Sequence, residues 1–330
     1  MALPACMQGN MRIPVIGSPL FIISNPALVI AQCKAGVSGT FPSLNARPLS
    51  QFDEWLCEIE EALAAEKTAH PDKPVAPYGV NLIVHKTNNR LEEDLELCVK
   101  HKVPLIITSL GAREDVNNAI HSYGGVVLHD VINDKFARKA LEKGADGLIP
   151  VAAGAGGHAG VSSPFSLIQE IREHFDGPVF LSGSIATGEA VLAAQAMGAD
   201  GGYIGSAFIS THEARAAEGY KDMIVDSSSK DIVYSSLFTG VNGNYLAPSI
   251  ANAGMDPNNL PDGKASDMSF KSGGDSEAKA WRDIWGSGQG IGAVKSRMGA
   301  ADYIEQLAQQ YEAARARLMG LSSPYAAAAE

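Results

Sequence analysis

Short, continuously apolar runs alternate with longer amphipathic segments from residue 12 to about residue 210. The runs are RIPVIG, GVSGTF, PYGVNLI, PLIITS, GVVLHDV, DGLIPV, GPVFLSG and GGYIGS. They are mostly β-branched and apolar at consecutive positions, the pattern of strands covered on both faces. Between them, segments such as NPALVIAQCKAG, SQFDEWLCEIEEALAAEK, RLEEDLELCVKHK, NDKFARKALEKGA and GEAVLAAQAMGA carry a helical period. Several end at Gly, which serves as a helix C-cap. Eight strands with intervening helices in about 200 residues predict a (β/α)8 TIM barrel. A doubly wound open sheet is the competitor, but no GxGxxG turn follows the first strand.

The texture changes after residue 215. The stretch from Ser227 to Asp275 is rich in Gly, Ser, Asn, Asp and Pro and has little helical period. It is too long for a simple barrel connection, which predicts a lid with its own packing. Helical segments are expected at 276–285 and 300–319, and SSPYAAAAE reads as a loose tail. The expected division is a barrel core at 1–215, then a lid and C-terminal helices at 216–330 packing on the barrel mouth.

Composition narrows the function. The chain has 330 residues, 45% of them hydrophobic and 19% charged, an ordinary globular balance. A net charge of −11 argues against nucleic acid as the main partner. The N-terminal IPVIGSPLFII has no basic region before it and is broken by Pro14, Gly17 and Pro19, so it reads as core strand and loop. No apolar run spans a bilayer, and the expectation is a soluble protein with no membrane partner. Cys6, Cys33, Cys57 and Cys98 show no CxxC spacing, and no HxH or HExxH pattern marks a metal site. A reducing cytoplasm is the simple reading.

In a barrel the loops after the strands build the active site. The first offers Ser18, Pro19 and Leu20; the third strand ends at Asn81, the fourth at Thr108 and Ser109, and the fifth at His129 and Asp130. LSGSIATG offers Gly183 and Ser184, and YIGSAF offers Gly205 and Ser206. Glycine loops in those last two places let backbone N–H groups meet a phosphate without Lys or Arg. Otherwise they are only tight strand-to-helix turns. After the sixth strand comes VAAGAGGHAG, whose His158 is either a solvated loop histidine or a proton-transfer group at the mouth. His129 is a weaker candidate that either binds a ligand or caps the strand end.

The combination of AGAGGHAG, LSGSIATGEAVLAAQAMGADGGYIGSAFIST and DIVYSSLFTGVNGNYL resembles the nitronate monooxygenase family of FMN-dependent barrels. The likeness runs from PVIGSPLFIISNPALVIAQCKAG to WGSGQGIGAV. The resemblance implies FMN as cofactor, with its phosphate held by Gly183, Ser184, Gly205 and Ser206. Asn81, His129, Gly156 and Gly157 would line the ribityl chain or ring, and Gln289 would reach in from the C-terminal segment. His158 matches the family's catalytic histidine. The implied partners are a nitronate or nitroalkane and oxygen, with a homodimer as a compatible assembly. Three positions depart from the family pattern: Gly154 where Glu is usual, His129 where Lys is usual, and Val241–Asn242 where many relatives carry a basic residue. Two rival readings keep the fold. One is an NAD(P)H-dependent FMN reductase of quinones or enoyl thioesters; the other is a flavin-binding protein without turnover.

Overall fold

The computed structural model describes residues 2–263 and 284–320. All eight apolar runs form strands: β1 (Val15–Gly17), β2 (Ser38–Pro42), β3 (Gly79–Ile83), β4 (Leu105–Ser109), β5 (Val126–Val131), β6 (Gly147–Pro150), β8 (Phe180–Ser182) and β9 (Gly201–Ile204). They are parallel, in the order β6-β5-β4-β3-β2-β1-β9-β8. Bridges Leu148↔Val179 and Val151↔Ser182 join β6 to β8 and close the ring. The fold is a (β/α)8 barrel.

Buried side chains account for the closure. Ile16, Leu105, Ile107, Leu128, Ile149, Phe180 and Tyr203 fill the interior, and Met7 from the N-terminal turn packs with them. The outer faces of the strands pack on α1 (Pro26–Lys34), α2 (Leu49–Ala69), α3 (Leu91–Lys100), α4 (Glu114–His121), α5 (Asp134–Glu142), α6 (Pro164–Arg172) and α7 (Gly188–Ala196). Asn25, Asn133 and Thr187 cap α1, α5 and α7 by accepting from Leu28, Phe136 and Ala190 N–H groups. Among the described residues, no helix is long and apolar enough to cross a membrane.

The segment after the last barrel strand has more regular structure than its composition suggests. It forms α8 (Ser206–Ile209), α9 (Glu218–Asp226), strands β10 (Ile232–Ser235) and β11 (Gly243–Leu246), and α10 (Ala247–Asn252). β10 and β11 are antiparallel, and β11 also pairs with a two-residue strand, β7 (Gly157–His158), from the barrel's sixth loop. Tyr245, Ile250 and Ile284 form a small separate core beneath this sheet. The helix expected at 276–285 falls largely outside the described residues, as does the C-terminal tail.

The final helix, α11 (Ala300–Met319), packs in the barrel's helical layer instead of on its mouth. Tyr303 Oη donates to Ala186 O at 2.9 Å and Tyr311 Oη to Gln195 Oε1 at 2.6 Å, tying it to α7 and the loop before it. Arg12 pairs with Glu305 on its other side. It therefore serves as the barrel's eighth helix, delivered after the lid. Gly188 permits the contact, because a Cβ there would lie 2.1 Å from Leu307 O and 2.3 Å from Tyr311 N. Both are backbone atoms that can only move with the helix. Gly188→Val is expected to cost about 1–3 kcal/mol, read as a drop of several degrees in the thermal unfolding midpoint. An unchanged midpoint would show that α11 is not held this closely.

Candidate active site

A cavity of about 350 Å³ opens at the C-terminal ends of the strands, within the size range of small-molecule sites. Of the residues singled out in the sequence, Ser18, Pro19, Leu20, Asn81, Gly156, Gly157, His158, Gly183, Ser184, Gly205 and Ser206 line it. The first loop is braced from behind: Asn45 Nδ2 donates to both Leu20 O and Ser24 O, each at 2.9 Å.

His129 and Gln289 lie elsewhere. β5 alternates, and Leu128 points into the barrel interior, so His129 faces the helical layer. It is buried there, with Nδ1 2.7 Å from Thr108 Oγ1. Burial pushes its imidazole down to about 4. Gln289 is exposed; its backbone N–H donates to Gly154 O at 2.9 Å. The cavity lining also contains Arg47, Arg90, Asp130 and Tyr203. Asp130 ends the same strand as His129, and only the placement of Leu128 in the interior shows that alternation turns Asp130 inward. A continuously apolar strand hides that phase.

His158 is not on an open glycine loop. It sits on β7, opposite Gly243 of β11. Asn244 Nδ2 donates to Ala155 O at 2.6 Å, and Tyr234 Oη to Ala159 O at 2.9 Å, so the lid sheet clamps both ends of the loop. His158 Nε2 lies 2.9 Å from Thr239 Oγ1, whose own hydrogen goes to Val241 O at 3.0 Å. The Thr239 hydroxyl thus meets both Val241 O and the ring, and it fixes the orientation of the imidazole. Burial holds the imidazole near 4, so it is neutral at physiological pH.

The glycines around it serve packing. A Cβ at Gly156 would lie 2.7 Å from Gly288 N, and one at Gly154 would lie 2.2 Å from Ser184 Oγ. Gly154 also has φ +86°. A Glu at that position would be strained in this loop and would collide with Ser184, so the missing acid goes with the way the two loops meet.

Ser184 is left-handed at φ +57° and follows Gly183 at φ +130°. The N–H groups of Ser184 and Ile185, both cavity-lining residues, donate to no acceptor among the described residues. The N-terminus of α7 is not the anion site, because Gly188 N donates to Gln310 Oε1. On the opposite side Arg90 lines the cavity with an unsatisfied Nε, its other nitrogens donating to Ala46 O and to buried Asp94, each at 2.7 Å. The free N–H groups of Ser184 and Ile185 suit the anionic end of a ligand. No cluster of three or more metal-ligating groups occurs among the described residues.

The His158 Cε1 proton should titrate near pH 4 by NMR. A histidine depressed in the folded state takes up its proton first in the unfolded chain, at about 6.5. His158 thus removes stability as pH falls from about 6.5 towards 4, and His158→Gln should flatten that slope. A titration midpoint near 6.5 would put the ring in solvent.

The sequence profile of the Nitronate monooxygenase family matches residues 61–310. A nitronate monooxygenase of Neurospora crassa is 26% identical over 339 aligned positions, covering 90% of this chain and 88% of its own. A Rhodococcus jostii enzyme named as a hydroxy-methyl-oxo-octahydro-indene-carboxyl-CoA dehydrogenase is 25% identical, covering 73% of this chain and 64% of its own. Among solved structures, nitroalkane oxidase from Streptomyces ansochromogenes superposes with a TM-score of 0.80 at 20% identity, covering 95% of this chain and 100% of that one. FabK from Thermotoga maritima gives 0.73 at 21% identity, covering 94% and 96%. These two structural likenesses show the shared fold, while the profile spans well over half of the sequence. The chain belongs to the nitronate monooxygenase family of flavin-dependent oxidoreductases.

Proposed function

We propose that this protein is an FMN-dependent nitronate monooxygenase that oxidises alkyl nitronates with oxygen to a carbonyl compound and nitrite. The observation that carries the reading is His158, neutral and oriented by Thr239 on the wall of a cavity with unused anion-binding N–H groups. Ser184 and Ile185 would meet the FMN phosphate through their backbone, with Gly183, Gly205 and Ser206 shaping the cradle. The bound flavin supplies the ring that accepts electrons and hands them to oxygen.

The chain's own residues prepare the substrate. A neutral imidazole carries a lone pair on one ring nitrogen and is a base, so His158 can take the α-proton of a neutral nitroalkane and leave the electron pair on the nitronate. The imidazolium then faces the anion it has created, which offsets the cost of a buried charge. Apolar residues such as Leu20, Ile22, Leu44 and Ile132 wall the cavity and exclude water from that exchange.

A second reading, an NAD(P)H-dependent reductase or dehydrogenase of acyl thioesters or quinones on the same frame, is favoured by the Rhodococcus relative named for a CoA thioester. One set of measurements separates them. The purified protein should be yellow, consume oxygen with an alkyl nitronate and leave its flavin oxidised under anaerobic NADH. His158→Ala should lower turnover of neutral nitroalkanes by about 10²–10⁴-fold with FMN retained. Rapid bleaching by NADH would establish the second reading instead, and a colourless chain that takes up no FMN would overturn both.

A further inference from the structure

Opposite the Ser184–Ile185 cradle, three adjacent strands place a polar chain on the cavity wall. Asn81 Nδ2 on β3 donates to Ile107 O at 3.0 Å and to Ser109 Oγ at 2.7 Å. Ser109 on β4 donates in turn to Asp130 Oδ2 on β5 at 2.5 Å. The hydrogens of this chain are thus committed along the wall. What remains for a ligand are acceptors: no described residue donates to Asn81 Oδ1 or Asp130 Oδ1, and both residues line the cavity. Arg90 is also among the lining residues.

The ring order gives this wall a partner. In a closed sheet of eight strands, the third to fifth lie across the mouth from the seventh and eighth, here β8 and β9. A long ligand anchored by phosphate at Gly183–Ile185 reaches the far wall with its other end. In FMN that end is the imide edge of the ring, where one donor, N3–H, stands between two carbonyl acceptors. A wall of acceptors complements the N3–H of that edge.

We infer that Asp130 accepts the imide N3–H of the flavin through Oδ1 and thereby both strengthens binding of the ring and lowers the electron affinity of the bound ring. The inference rests on the reading that FMN occupies this cavity. A carboxylate at the imide edge opposes the negative charge that the ring gains there on reduction. Burial raises Asp130 to about 6, against the Ser109 hydrogen bond, which favours the ionised form. The other titratable and charged groups at the cavity are Tyr203 on β9, Tyr220 on α9, whose phenol burial keeps neutral, His158 on β7, and Arg47 and Arg90. His129 lies on the other face of β5. Burial holds Tyr203 and both histidines in their neutral forms near pH 6, which leaves Asp130 as the group whose charge changes there.

The test compares FMN with N3-methyl-FMN, which lacks the donor, on the full chain stripped of flavin, by quenching of flavin fluorescence. The wild type should prefer FMN by about tenfold or more at pH 8, with the preference shrinking at pH 5. Asp130→Ala should bind the two alike, and Asp130→Asn, which keeps an acceptor, should fall between them. In the holoenzyme, the midpoint potential of the flavin should be lower in wild type than in Asp130→Asn at pH 8 and coincide with it at pH 5. Should Asp130→Ala not fold, the wild-type preference at the two pH values carries the test alone. Equal binding of both flavins by wild type, or a potential difference independent of pH, overturns the inference and leaves the FMN reading standing. A chain that takes up neither flavin overturns both.

Discussion

The mouth of this barrel depends on the pairing of β7 with β11. Two residues of the sixth loop, Gly157 and His158, are held as a strand by Asn244 and Gly243 of the lid. Two residues cannot sustain a strand alone, so their order is borrowed from the three-stranded sheet and the small core of Tyr245, Ile250 and Ile284 beneath it. The approach is close enough that a Cβ at Gly243 would lie 2.8 Å from Gly157 O. The lid is therefore part of the site, since it presents the histidine and through Thr239 orients its ring. Loosening that miniature core would release His158 without touching any residue in the cavity.

The same dependence explains what the sequence disclosed. The eight barrel strands were legible because a strand covered on both faces must be apolar at every position, and continuous runs such as PLIITS and GVVLHDV are hard to mistake. That property also hid the phase of β5. With every neighbour apolar, nothing local said that His129 turns to the helices and Asp130 to the cavity; Leu128 in the barrel interior settles it. Two-residue β7 carries no periodicity at all, and its partner lies more than eighty residues away in a segment whose Gly and Ser content reads as loop. The final helix was legible as a helix, but its place in the ring depends on a contact at Gly188 that no local pattern announces.

Charge in the cavity follows from what the fold buries. Arg90 is neutralised by Asp94, itself tied to Ser43 Oγ at 2.7 Å, and its guanidinium acts more as a rigid donor than as a net charge. Arg47 lines the cavity from an exposed position and makes no ion pair among the described residues, so it is the lining cation left uncompensated within the protein. Asp130 brings the opposite sign to the wall formed by β3, β4 and β5. An anion entering this cavity, on a protein of net charge −11, is drawn by Arg47 and repelled by Asp130 once that carboxyl ionises. His158, neutral through the physiological range, adds no charge to that field. Under the proposed reaction a neutral nitroalkane would enter against no electrostatic barrier, and the anion would first form where His158 could balance it.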